Sequence, residues 1–328
     1  MNTHGSMSWR RALSVAFAVL PLGGLAADDP GLARSTVIMV AGAAGDQAYQ
    51  PDIEQQAVAW AKASTDADAS HVAIGTGPAG GTGDREALKE ALAAEPKDGK
   101  GELWLVLAGH GTFDGKEAKL NLRGPDVSAT DLAEWLKPFQ RPIAIIDTTS
   151  ASAPFLARLA GPNRVIVTST RSGYEQNYAR FGKYLAEALP DLKSDLDKDS
   201  QISLLEAFLS ASYRTAEFYK TEGRLATEHA LVDDNGDGLG TPFDWFRGVR
   251  ATKKADDNAP LDGARAHQFH LVRSNAEQHM TAELRAKRDA LELELGKLRE
   301  RKPKLSEEAY LRELEERLLE LAALYDGT

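Results

Sequence analysis

At 328 residues the chain is long enough for one large domain with an appendage, and its hydrophobic content of 42% is ordinary for a globular protein. A net charge of −10 argues against a nucleic-acid partner held by phosphate neutralisation. With no cysteine anywhere, disulfides, thiolate metal sites and thiol catalysis are excluded together.

Arg10-Arg11 precede an apolar run from Ala12 to Leu25, and Leu25-Ala26-Ala27 puts small residues before Asp28. A basic region, an apolar region and a cleavage-like site in that order predict a signal peptide over 1–27 and an exported protein, periplasmic or extracellular. A retained membrane anchor is the alternative, although Pro21, Gly23 and Gly24 interrupt a run that is already short for a span. The residues around Arg10-Arg11 match a twin-arginine signal poorly. After signal removal no stable membrane span is expected.

Thr36 to Ala41 reads as a first strand. Pro51 suits the first turn of a helix running to about Ser64, with Ile53, Ala57, Trp60 and Ala61 on its apolar face. His71 to Ile74 is a short second strand, and His71 is expected at its edge with no nucleophile beside it. Gly75 to Gly80 fits a dinucleotide fingerprint by letter. More glycine follows it instead of a helix, so a flexible loop and no nucleotide are expected.

Two apolar runs then dominate. Leu103 to Ala108 closes on Gly109-His110-Gly111, and Pro142 to Ile146 closes on Asp147-Thr148-Thr149-Ser150-Ala151-Ser152. Continuous apolar runs of this length predict strands buried on both faces of a helix-covered parallel sheet. Between them Ser128 to Leu136 reads as a crossover helix, with Ser128 as N-cap and Asp131 in its first turn. In such sheets chemistry gathers beyond the carboxyl ends of the strands, where His110 and Thr149 would sit. Further on are expected a short helix over Phe155 to Leu159, a strand over Val165 to Thr168, and helices over Tyr178 to Leu189 and Ile202 to Thr221. Leu231 to Pro242 reads as a loop, and Trp245 and Phe246 as anchors. An α/β domain over 31–250 would then be followed by a linker over 251–273, polar from Ala251 to Gly263.

Asp195, Asp197 and Asp199 alternate, and Ile202 and then Glu206 follow at the spacing of an EF-hand loop. Carboxylates at alternate loop positions converge on one point. Gln201 offers a backbone carbonyl, Glu206 closes the shell, and Ile202 ties the loop to the core. Calcium is the expected ion, with Ser200 straining the turn where glycine is preferred. Solvated acidic capping of the following helix is the plainer alternative. Asp233, Asn235 and Asp237 alternate again before Gly238, with Asp244 in place of the closing glutamate. This second loop is either a looser calcium site or an ion-free turn.

The tail over 274–326 is rich in Leu, Glu, Arg and Lys. Leu284, Leu291, Leu295 and Leu298 form one stripe, Pro303 interrupts, and Ser306 caps a second helix with Leu311, Leu314, Leu318 and Leu321. A helical hairpin or coiled coil results. It would pack on its own domain or a second copy, or dock another protein.

A strand ending in His-Gly, followed by one ending in acid-x-Cys, resembles the caspase-like cysteine peptidases, here nearest the legumain-like branch. Gly109-His110-Gly111 matches the histidine motif, and Asp147-Thr148-Thr149 falls where acid-x-Cys would be. Arg164 to Thr170, with Glu175 after it, is similar to the next strand and its acidic loop, so the likeness covers roughly Thr36 to Leu189. The resemblance implies a caspase-like, mostly parallel sheet and a degenerate catalytic site of His110, Thr149 and Asp147. Thr149 stands at the cysteine position, and a threonine hydroxyl is a poor nucleophile without a base held beside it. Loss of cysteine-peptidase activity in a calcium-binding scaffold is therefore expected. The alternative is a hydrolase using Thr149 or Ser150 as nucleophile, His110 as base, and Asp147 or Asp114 as orienting acid.

Overall fold

The computed structural model describes Met1, residues 34–77 and residues 83–325. The signal-peptide region therefore lies outside the described residues, as does most of the stretch from Pro78 to Gly83. The strands are β1 (Thr36–Ala41), β2 (Ser70–Ile74), β3 (Leu103–Ala108), β4 (Gly111–Phe113), β5 (Ala118–Leu120), β6 (Val127–Ser128), β7 (Ile143–Asp147), β8 (Arg164–Thr168), β9 (Leu231–Asp233), β10 (Thr241–Pro242), β11 (Phe246–Arg247) and β12 (Arg250–Ala251). The helices are α1 (Gln50–Asp66), α2 (Gly83–Ala94), α3 (Ala129–Leu136), α4 (Ala153–Leu159), α5 (Phe181–Ala188), α6 (Leu204–Thr221), α7 (Asn275–His279), α8 (Ala282–Arg301) and α9 (Glu307–Tyr325).

Seven strands form the central sheet in the order β10-β9-β8-β7-β3-β1-β2. β2, β1, β3, β7 and β8 run parallel, while β9 and β10 close one edge antiparallel. The fold is thus the predicted α/β arrangement, a mostly parallel sheet flanked by helices. Strand side chains alternate between faces, so an unbroken apolar run feeds two cores. Val37, Met39, Trp104 and Val106 face α1, α5 and α6 through Trp60, Phe181 and Phe208. Ile38, Val40, Leu105 and Leu107 face α2, α3 and α4 through Leu88, Leu132 and Phe155. Ser128 caps α3 as expected, taking the Asp131 N–H on its hydroxyl, and Asp131 completes a capping box by accepting the Ser128 N–H.

Several expectations are corrected. Between β3 and α3 the chain forms a small antiparallel sheet, β4-β5-β6, whose strands are too short to show a pattern. The predicted 231–242 loop contributes β9 and β10. The helix expected from Tyr178 starts at Phe181, because the Glu228 carboxylate accepts the N–H groups of Arg180 (2.9 Å) and Phe181 (3.0 Å) there. Residues 251–273, expected as a linker, lie against the domain. Ala266, Phe269 and Leu271 are buried with the first core, and Phe269 meets Trp104 edge-on at 5.8 Å.

Asp262 accepts the Asp234 N–H (3.1 Å), while Asp234 accepts those of Gly263 (2.9 Å) and Ala266 (2.8 Å). This reciprocal clasp of two buried carboxylates holds the segment to the β9 edge. Burial pushes the Asp262 carboxyl up to about 8, and the Asp234 carboxyl rises for the same reason.

The tail is a hairpin of α8 and α9, crossed by ion pairs Arg317–Glu294 (2.8 Å) and Arg301–Glu313 (3.4 Å). Leu291, Leu295 and Leu298 are buried as expected, but the buried residues of α9 are Tyr310 and Leu324. The second predicted stripe straddles the packing face: Leu314 and Leu321 are half-buried, and Leu311 and Leu318 are exposed. Among the described residues no helix is long and apolar enough to cross a membrane.

Candidate functional site

β3 and β7 are parallel neighbours with Leu107 opposite Asp147, so the turns after them meet. The approach is close: a Cβ on Gly111 would fall 2.1 Å from the Ser150 carbonyl oxygen, so only glycine fits there. Ser150 Oγ lies 2.8 Å from His110 Nδ1. The same oxygen accepts the Gly111 N–H (3.0 Å) and stands 3.0 Å from the Gly111 carbonyl, to which it can donate. Burial lowers the His110 pKa, favouring the neutral ring.

Thr149 has a different partner. Its hydroxyl donates to Asp147 Oδ1 at 2.6 Å, its N–H donates to the same oxygen at 3.0 Å, and it is fully buried. Asp147 has its other oxygen buried without a hydrogen-bond partner. Burial raises its carboxyl to about 7, with the Thr149 bonds opposing. The chain then turns at Ala151, at φ +57°, whose N–H donates to the Glu175 carbonyl (2.8 Å). That is a left-handed conformation unfavourable for a residue with a Cβ.

Of the residues predicted to act together, His110 meets Ser150 and Asp147 meets Thr149. No hydrogen bond joins Asp147 or Asp114 to His110, and Asp114 instead caps its own turn through the N–H groups of Lys116 (2.9 Å) and Glu117 (2.8 Å). A second histidine was missed. His229 Nδ1 lies 2.6 Å from Glu175 Oε1, behind the Ala151 turn. Only the acidic loop of the resemblance pointed to Glu175, and nothing in the sequence pointed to His229. His71, expected without a nucleophile, has Nδ1 3.0 Å from Ser64 Oγ. That hydroxyl is buried and back-bonded to the Trp60 carbonyl (2.7 Å), a helix-to-strand tie.

The two acidic loops share one hydrogen-bond pattern. In the first, Asp195 accepts the N–H groups of Lys198 (2.6 Å) and Ser200 (3.1 Å), Asp197 that of Asp199 (3.4 Å), and Asp199 that of Gln201 (3.1 Å). In the second, Asp233 accepts from Gly236 (2.8 Å) and Gly238 (2.8 Å), Asn235 from Asp237 (2.8 Å), and Asp237 from Leu239 (2.7 Å). The matching positions share a left-handed backbone: Lys198 at φ +66° and Ser200 at +72°, Gly236 at +81° and Gly238 at +75°.

Carboxylate oxygens of Asp195, Asp197 and Asp199 lie within 4.8 Å of one another. So do ligand atoms of Asp197, Glu206 and His267, and His267 was not anticipated. Glu206 caps α6 through Ser203 and also accepts the Leu196 N–H (2.7 Å). Ile202 is buried, as expected, and the Gln201 side chain links Asp199 (2.8 Å) to the Ser274 N–H (3.1 Å). The oxygen-rich donors of the first loop suit a hard cation such as calcium. In the second loop Asp244 is exposed and closes nothing, and burial raises Asp233 to about 6.

No family model matches this chain, and no curated protein matches it. Solved structures similar to it include the Drosophila initiator caspase Dronc, at 11% identity and TM-score 0.40, covering 64% of this chain and 82% of that one. A Geobacter sulfurreducens protein is similar at 10% identity and TM-score 0.40, covering 64% and 98%. Caspase-1 from Spodoptera frugiperda is similar at 10% identity and TM-score 0.38, covering 62% and 86%.

Chemically, the strand-end site offers a neutral imidazole with one nitrogen held by a serine, and a threonine whose hydroxyl is committed to a buried carboxyl group. It contains no thiol. The first loop offers a cage of oxygen ligands beside a histidine.

Proposed function

We propose that this chain is an exported domain of caspase-like, legumain-like ancestry that has lost cysteine-peptidase activity and serves as a calcium-stabilised scaffold. The observation that carries the reading is the state of Thr149. It falls at the motif's nucleophile position, yet it is sealed from solvent, and its hydroxyl is bonded to Asp147 at 2.6 Å while His110 is bonded to Ser150. A hydroxyl shut off from solvent by burial cannot be reached by a peptide carbonyl, so the carboxyl beside it has no substrate to activate it against. The test is hydrolysis of a broad peptide-substrate panel by the unmodified protein. Cleavage that disappears in His110→Ala would sink the proposal.

The calcium part rests on the oxygen donors of the first loop. Calcium should raise the melting temperature, because an ion that binds only the native state stabilises it by mass action. The rise should vanish in Asp195→Ala with Asp197→Ala; a rise that survives places the ion elsewhere. Export is tested by mass spectrometry of the mature protein, with an N-terminus near Asp28 expected and a full-length product counting against it.

A second reading is favoured by one distance. Ser150 Oγ lies 2.8 Å from His110 Nδ1, the contact a serine hydrolase needs between nucleophile and base. Against it, Ser150 is 1% exposed and no acid among the described residues is hydrogen-bonded to the ring. Labelling by a fluorophosphonate that is lost in Ser150→Ala would establish this reading over the first.

A further inference from the structure

The α9 helix buries Tyr310 and Leu324 and leaves a second apolar face in solvent. Leu311, Leu318 and Leu319 are 53%, 45% and 64% exposed, and with half-buried Leu314 they line a shallow hollow around Glu315. An intrahelical face of this kind presents side chains at spacings of three and four, the pattern that receives another helix. Its charge is predominantly negative. The helix carries six glutamates and two arginines; Arg317 is taken by Glu294 (2.8 Å) and Glu320 (3.2 Å), and exposed Arg312 is left among the glutamates. Glu308 and Glu315, which lie along the leucines, have no ion-pair partner among the described residues.

We infer that this face docks an amphipathic helix of a partner protein whose apolar stripe is flanked by lysines or arginines. Charge complementarity selects that occupant. A second copy would bring Glu308 and Glu315 against the same residues, in a chain of net charge −10. An anionic lipid surface would meet the same repulsion. The inference gives the scaffold reading its partner chemistry and rests on it for biological sense.

The test uses the full chain and two synthetic helical peptides with identical leucine stripes, one flanked by lysine and one by glutamate. Fluorescence anisotropy should show the lysine peptide binding at least about tenfold more tightly, with the gap shrinking as salt is raised. Leu318→Glu with Leu319→Glu should abolish binding. Glu308→Lys with Glu315→Lys should reverse the preference. All four positions lie on the outer side of the helix, and an unchanged far-ultraviolet circular dichroism spectrum verifies folding. Equal binding of the two peptides, or none by the lysine peptide, overturns the inference. So does a dimer in sedimentation that Leu318→Glu dissociates, which makes a second copy the occupant. Binding to phosphatidylcholine–phosphatidylserine vesicles in place of the peptide overturns it in favour of a lipid surface. These outcomes are independent of the peptidase assay, so failure here and failure of the scaffold reading are told apart.

Discussion

Two adjacent hydroxyls, Thr149 and Ser150, have opposite fates, and the difference is testable with sulfur. Ser150→Cys would place a thiol against the His110 ring, where the neutral imidazole can take its proton and the resulting ion pair holds the thiolate. Thr149→Cys would place it against the Asp147 carboxyl, which disfavours the thiolate. Alkylation by iodoacetamide should therefore be about tenfold faster for Ser150→Cys than for Thr149→Cys. Equal rates would mean that the His110–Ser150 contact is not maintained in solution.

Asp147 makes a second prediction at this scale. Its pKa is raised from 3.8 to about 7 by burial, so the folded state favours the protonated form. Its contribution to stability is then fully present below the unfolded pKa and is lost as pH rises through the folded one. The melting temperature of the wild type should fall between about pH 4 and about pH 7 by more than that of Asp147→Asn, which carries no charge to bury. Parallel curves for the two proteins would show that Asp147 is already ionised in the fold.

At the level of elements, the two loops give a comparison within one chain. Position six is Ser200 in the first and Gly238 in the second, at φ +72° and +75°. A residue with a Cβ costs roughly 1 kcal/mol there. Ser200→Gly should raise stability by about that amount and tighten calcium binding, while Gly238→Ala should lower stability by a similar amount. Thermal melts of the two variants check both signs.

The loops also show what was legible from residues alone. Their side-chain spacing is written in the sequence, and so are β1, β3, β7 and β8, because strands buried on both faces must be apolar throughout. The β4-β5-β6 sheet was not legible, since two- and three-residue strands carry no period. Nor was the identity of the hydroxyl beside His110. Thr149 and Ser150 are neighbours, and the choice is made by tertiary partners: Gly111 on the adjoining turn holds the Ser150 hydroxyl, and Asp147 holds that of Thr149. His267 reaches Asp197 at 3.0 Å from 70 residues away, and no local pattern encodes that.

For the whole molecule, the decisive correction is the 251–273 segment. Ala251 to Gly263 is polar and charged and so reads as a linker, yet in the fold Asp262 and Asp234 each take the other segment's N–H groups. Phe269 is 8% exposed and covers Trp104. Phe269→Ala should cost about 3–5 kcal/mol, as for a buried aromatic, measured by chemical denaturation. A loss under about 1 kcal/mol, the range of surface positions, would return the segment to the status of a tether.

The position of Phe269 in the chain also bears on how the protein is made. Synthesis runs from the N-terminus, and Trp104 emerges long before the residues that cover it. Until the ribosome has passed Leu271, the first face of the central sheet has no complete cover. A nascent chain of this design keeps apolar strand surface open through most of its translation. Such a surface is an aggregation hazard for a partly made chain, and here it closes only when the 251–273 segment docks.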